Sequence, residues 1–295
     1  MIADNPGVVT LSQTASPKQT LKQKTRRALG TLPPFSPILM RLLATLAEED
    51  VSFGVLGDLI EKDTVVAANI LHLVNSALYA RRGTINSVRR AVSLLGTNKL
   101  RNAVLGMSIA RVWNRVTMPP GWSMARFNMH SAAVAVLSDL LAQRLPVEYP
   151  EGAFVAGLLH DAGRLLIALA VPQEHQRILE VYAKGGSALV ACEQEVLGFS
   201  HPELSADAIE FWKLPEEIQF AVRDHHSPPP SGFPLSRVID AANQYINSGG
   251  ESILVHNTDA ADACVIESLG LEPDKLKALL ADFRTENDAM ASYFR

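Results

Sequence analysis

Leu39, Leu42, Leu43 and Leu46 recur three and four residues apart across Ile38–Glu48, the spacing that places them on one face of a helix. The same rhythm continues along the chain. Ser52 can cap a helix running to about Lys62, and Thr64–Val74 supplies the next. NSALY (75–79) and the Arg-Arg-Gly behind it break the pattern. Ser87 then caps Val88–Leu95, Gly96 stops that helix, and Thr97 opens a longer one to about Arg115. After TMPPGW (117–122), Met124–Arg144 reads as a long amphipathic helix and Glu151–Val171 as one buried central helix, apolar almost throughout. Ser187–Leu197, Ser200–Trp212 and Pro215–His226 each begin with a capping residue or an early proline. HSPPPSGFP (226–234) is a rigid loop, and Pro234–Asn247, Asp259–Leu269 and Glu272–Phe283 complete the series. No stretch alternates as a strand does. The pattern predicts an all-α, multi-helix bundle in two helical parts, 29–120 and 121–250. A polar basic arm (1–28), turning helical near Leu21–Leu29, precedes it, and C-terminal helices (251–295) follow.

Composition narrows the picture. Aromatics make up only 6% of the 295 residues, so the core is built from Leu, Ala, Val and Ile, which suits packed helices. Two cysteines, Cys192 and Cys264, exclude a disulfide scaffold and a cysteine-based zinc cluster, and are expected as buried thiols of a cytoplasmic protein. The best candidate for a membrane span, 154–171, is interrupted by His160, Asp161 and Arg164, so no membrane segment is expected. The N-terminus lacks the pattern of a signal peptide.

Charge changes the picture more. The net charge of −4 conceals +4 in residues 1–27 and +9 in residues 64–138, which contain no acid, leaving −17 for the rest. The acid-free stretch is either a solvated face or a docking surface for an acidic partner protein or an anionic ligand. A sequence pI near 6.1 argues against nucleic acid, and so does the scarcity of aromatics among these bases.

The chemistry concentrates in the second half. His160–Asp161 lies within FVAGLLHDAGRLLIALAV, and burying an imidazole and a carboxylate without partners costs several kcal/mol. Partners on other predicted helices are His130, His201, the doublet His225–His226 and Asp240. Such a mixed nitrogen and oxygen set suits Fe, Mn, Zn or Mg. His72, His175 and His256 are expected at the surface or in packing.

These residues carry a family resemblance. LPPFSPILMRLLATL and LIEKDTVVAANILHLVNSALYARRGTINSVRRAVSLLGTNKLRN resemble the opening of an HDOD domain, the HD-related output domain of bacterial signalling proteins. FNMHSAAVAVLSDLLA, GLLHDAGRLLIAL, CEQEVLGFSHPELSADAIEFWKLPEEIQFAVRDHHSPP and SRVIDAANQYI continue the resemblance in order, over roughly residues 29–247. It implies an all-α signal-output domain related to HD phosphohydrolases and HD-GYP phosphodiesterases. By position it maps their metal ligands onto His130, His160, Asp161, His201, His225 and Asp240, with His226 completing the doublet. The chain departs from HD-GYP enzymes in carrying Arg164 for lysine and in SPPPSGFP, which lacks the acidic residue and the tyrosine of the GYP loop. The departures point to an output module with catalysis lost. The alternative is a metal-dependent phosphohydrolase in which Asp161 helps to hold the metal and Arg164 steadies phosphate.

Overall fold

The computed structural model describes residues 16–33, 35–44, 53–75, 84–249, 253 and 265–291. Helices account for the architecture, and no strand occurs among the described residues. Helix α1 (Pro17–Leu29) is followed by α2 (Pro37–Ala44), α3 (Phe53–Glu61), α4 (Thr64–Val74), α5 (Val88–Leu95) and α6 (Thr97–Trp113). The second half contains α7 (Met124–Ala142), α8 (Ala153–Leu159), α9 (Ala162–Ala170), α10 (Pro172–Ala183) and α11 (Leu189–Leu197). It continues with α12 (His201–Phe211), α13 (Glu216–Arg223) and α14 (Leu235–Ser248), and α15 (Pro273–Ala291) closes the described chain. The expected cap Ser52, the break at 76–83 and most of Asp259–Leu269 lie outside the described residues; of the last, Glu267–Leu269 is a 3-10 turn.

Three expectations need correction. The stretch 151–171 is not one helix: α8 stops before His160 and α9 starts after Asp161. Asp161 adopts φ −101°, ψ 10°, and its carbonyl accepts from the N–H of Arg164, three residues on, so the chain makes a tight turn there. Both neighbouring helices are buried, so the apolar pattern carries no mark of the turn. Helix α7 is not amphipathic: nearly every residue from Phe127 to Ala142 is buried, because α8, α14 and α15 cover it. Helix α10 has no counterpart in the predicted series. Its polar sequence buries only Ile178 and Tyr182, but Pro172 at its start presets the first turn.

The arm is helical from Pro17, where Ser16 and Gln19 form a reciprocal capping box. Helix α1 lies against α9 and α12, with Thr25, Ala28 and Leu29 buried. Arg26 makes a two-pronged contact with Asp207, and Lys22 reaches Glu203 at 2.9 Å.

One continuous apolar core runs from Ala28 to Met290 across both halves, and a smaller one gathers Ile167, Ile178, Tyr182, Leu197 and Leu204. Phe35, Trp113 and Trp212 interlock at ring separations of 4.8–6.4 Å and tie the first half to α12. Pro150–Ala170 is the one stretch among the described residues long and apolar enough to cross a bilayer, and it is mostly buried inside the bundle. Glycines permit two close crossings. A Cβ on Gly157 would lie 2.8 Å from Ala135 Cα of α7, and one on Gly163 would lie 2.1 Å from the His201 carbonyl oxygen.

Candidate metal centre

Four helix ends and one helix interior deliver the polar residues of the core to a single place. His130 comes from the middle of α7, while His160 and Asp161 occupy the turn between α8 and α9. His201 is the first residue of α12, and His225 and His226 form the turn after α13. His130, His160, Asp161, His201 and His225 are at most 2% exposed, whereas His226 keeps an exposed edge.

His160 and His225 are oriented by the same device. The last carbonyls of a helix lack intrahelical donors. Near the end of α8 the Gly157 carbonyl takes the Nδ1–H of His160 at 2.7 Å; near the end of α13 the Val222 carbonyl takes that of His225 at 2.6 Å. A carbonyl can only accept, so each ring carries its proton on Nδ1 and leaves Nε2 with a bare lone pair. Both Nε2 atoms are buried and have no hydrogen-bond partner among the described residues.

Asp161 sits between these rings. Its Oδ2 lies 3.0 Å from Arg164 Nη1, 3.5 Å from His160 Nε2 and 3.8 Å from His130 Nε2. Its Oδ1 lies 3.1 Å from His201 Nε2 and 3.9 Å from His225 Nε2. Burial opposes ionisation, but His160, Arg164 and His201 outweigh it and hold the carboxyl well below its usual range. Burial pushes His160 and His225 down, which keeps both rings neutral.

His201 differs. Its Nδ1 and its backbone N–H both bond Glu193 on α11, each at 2.8 Å. Burial again opposes charge, but Glu193 and Asp161 overcome it and raise His201 to about 9. Glu193 is absent from the predicted set, although a signal existed: it lies on the apolar stripe Leu189–Glu193–Leu197 and is 3% exposed. A carboxylate there needs a buried partner. The Nε2 atoms of His226 and His201 are 3.2 Å apart, which brings the rim residue into the cluster.

Two donor groups result. The ligand atoms of His130, His160 and Asp161 lie within 4.8 Å of one another, and so do those of His201, His225 and His226. Asp240 joins neither group: half-buried on α14, its carboxylate accepts from Gln244 at 3.0 Å, and burial pushes its pKa up. Of the remaining histidines, His72 is exposed and His175 packs on Trp122 at 5.8 Å, with burial lowering it to about 4. His256 and Cys264 lie outside the described residues, and Cys192 is buried.

The donor set fits a divalent cation. Two buried nitrogens with bare lone pairs flank an ionised carboxylate, and each unsatisfied acceptor costs about 1–3 kcal/mol. His201, backed by Glu193, reproduces the carboxylate–histidine arrangement that orients metal ligands. Metal-free, the centre rests on the His201–Asp161 ion pair, with a predictable pH signature. His201 titrates higher folded than unfolded, so its stabilisation is complete below pH ~6.5 and fades as the pH rises to about 9. His160 and His225 titrate lower folded, so their contributions fade as the pH falls below ~6.5. The chelated protein is therefore expected to lose melting temperature between pH 6.5 and about 9. His201→Gln should remove that alkaline limb, and calorimetric melts across the range will read it.

Comparison with known proteins sets this geometry in context. A family model for the HDOD domain matches residues 32–228. An uncharacterized protein of Treponema pallidum (strain Nichols) is 23% identical over 223 residues, 74% of this chain and 42% of that protein, so the chain spans less than half of this relative's length. An HDOD domain protein of unknown function from Geobacter sulfurreducens has a crystal structure that superposes with a TM-score of 0.73 at 23% identity, covering 93% of this chain and 97% of that one. A structure described as a phosphohydrolase, from Shewanella amazonensis SB2B, gives 0.71 at 23% identity over 92% of this chain and 98% of that one. At these identities the structures share the fold.

Proposed function

The chain belongs to the HDOD family, and on that premise we propose that it is a cytoplasmic bacterial signal-output module that acts by binding, with a divalent metal held in its buried centre. The bare, buried Nε2 atoms of His160 and His225 carry the metal part of this reading. His130, His160 and Asp161 would form one side of the site, and His201, His225 and His226 the other. Imidazole-rich donors favour Fe, Mn or Zn over Mg, which prefers oxygen. Asp240 is proposed as a further ligand only if α14 shifts toward the centre. A metal bound there would supply Lewis acidity and an acidified water.

Burial supports binding rather than turnover. A substrate could approach these ligands along the exposed edge of His226, since the other five side chains are at most 2% exposed. Arg164 is committed to Asp161 at 3.0 Å. The basic, acid-free stretch 64–138 is the proposed contact surface for an acidic partner protein or an anionic ligand.

The second reading, a metal-dependent phosphohydrolase, draws on one observation. The Arg164 guanidinium is 12% exposed beside the donor set, where its fork could hold a phosphoryl oxygen. An assay with bis-p-nitrophenyl phosphate and cyclic di-GMP in Mn²⁺, Fe²⁺ and Mg²⁺ separates the two. Metal uptake without product is expected. Turnover that disappears in both Asp161→Ala and His130→Ala would establish the hydrolase instead.

A further inference from the structure

Away from the metal centre, α4 and α6 border a solvent-open cleft of about 400 Å³, within the range of small-molecule sites. Val65, Asn69, Met107, Ser108, Arg111 and Arg115 line it, and no carboxylate does. Val65 is 45% exposed, an apolar side chain with nothing over it. Ser108 is 6% exposed, yet its Oγ has no hydrogen-bond partner among the described residues. A helical serine usually returns its hydroxyl to a carbonyl one turn back, and here that bond is absent. The half-buried Asn69 likewise makes no side-chain hydrogen bond among the described residues. Arg111 has the Asp63 carboxylate at 3.7 Å, beyond hydrogen-bond length, and Arg115 has no ion pair among the described residues.

We propose that this cleft is a mononucleotide site, in which Arg111 and Arg115 hold a single phosphate while Asn69 and Ser108 bond the edge of a base lying against Val65 and Met107. Each part answers an unmet need. Guanidinium forks match phosphate oxygens in pairs, an asparagine amide presents the donor and acceptor that a base edge requires, and the aliphatic wall shelters the ring. An acidic peptide would satisfy the arginines alone and leave Ser108 and Asn69 unpaired. The site is independent of the metal centre, since neither α4 nor α6 carries one of its candidate ligands.

The test is calorimetric titration of 5′-AMP, 5′-GMP, 5′-CMP and 5′-UMP into the full chain with chelator present, so that the metal centre contributes nothing. At least one nucleotide should bind saturably, with its nucleoside at least tenfold weaker. Arg115→Ala should weaken binding about tenfold, as loss of one charge-assisted contact does, and Arg115→Glu should weaken it further. Arg115 is exposed, so both variants should fold, which circular dichroism will verify. Ser108→Ala should weaken nucleotide and nucleoside alike. Three results would overturn the site: no saturable binding of any of the four, binding indifferent to both Arg115 variants, or tighter binding of an oligoglutamate peptide than of any nucleotide.

Discussion

Asp161→Ala is expected to empty the centre of metal and to lower the melting temperature of the chelated protein by on the order of 10 °C. Among the described residues the carboxylate is the one anion that the donor rings share, with His201 at 3.1 Å, Arg164 at 3.0 Å and His160 at 3.5 Å. Its removal leaves Arg164 and the charged, buried His201 without it, and breaking a buried pair from one side costs about 3–5 kcal/mol. In a chain of this size each kcal/mol moves the midpoint by roughly 2–4 °C. Asp161→Asn keeps the shape and should cost less stability, yet it too should lose the metal, because the site then lacks its negative charge. Metal analysis and calorimetry on the same preparations check both outcomes. Wild-type metal content in Asp161→Asn would remove Asp161 from the ligand set.

Gly163→Ala should be at least as damaging, although it adds only a methyl group. The new Cβ would lie 2.1 Å from the His201 carbonyl oxygen and 2.9 Å from the Ser205 nitrogen, both backbone atoms that no rotamer change can move. Helices α9 and α12 would have to part, breaking the bond from Gly163 N–H to Ser205 Oγ at 2.7 Å. Overpacking of this kind costs about 1–3 kcal/mol in ordinary cores, and more where the obstruction is backbone. The parting also separates Asp161, at the start of α9, from His201, at the start of α12. Metal affinity should therefore fall along with stability. Gly157→Ala, with its closest atom at 2.8 Å, should destabilise less. Thermal melts of the two variants will order them, and a milder effect at Gly163 would mean that the crossing of α9 and α12 is not fixed by contact.

Particular residues show why some of this was readable in advance. The helical class follows from leucine spacing, because a helix buried on one face must repeat its apolar positions. That rule is blind where a helix is buried all round, so the turn at His160–Asp161 and the enclosure of α7 left no periodic trace. Helix α1 escapes the rule in the opposite way: Lys22 and Arg26 dock it onto Glu203 and Asp207 by charge, and only a short apolar edge is buried. At the site, His160 and Asp161 stood out because isolated polar groups in an apolar run must find partners. Glu193 belongs to no motif that would mark it, although the same burial argument applies to it. Asp240, a candidate partner both as a carboxylate on another helix and by the family resemblance, is bonded to Gln244 instead.

The buried centre is expected to hold a divalent metal, and competitive titration of the chelated full chain with Mn²⁺, Fe²⁺ and Zn²⁺ against a chromophoric chelator tests this most directly. At least one of these ions should bind stoichiometrically and displace a proton from His201, and the affinity should fall at least about tenfold in each of His160→Ala and His225→Ala. Absence of stoichiometric binding by any of the three, or binding that survives both substitutions unchanged, would contradict a metal centre built on His160 and His225.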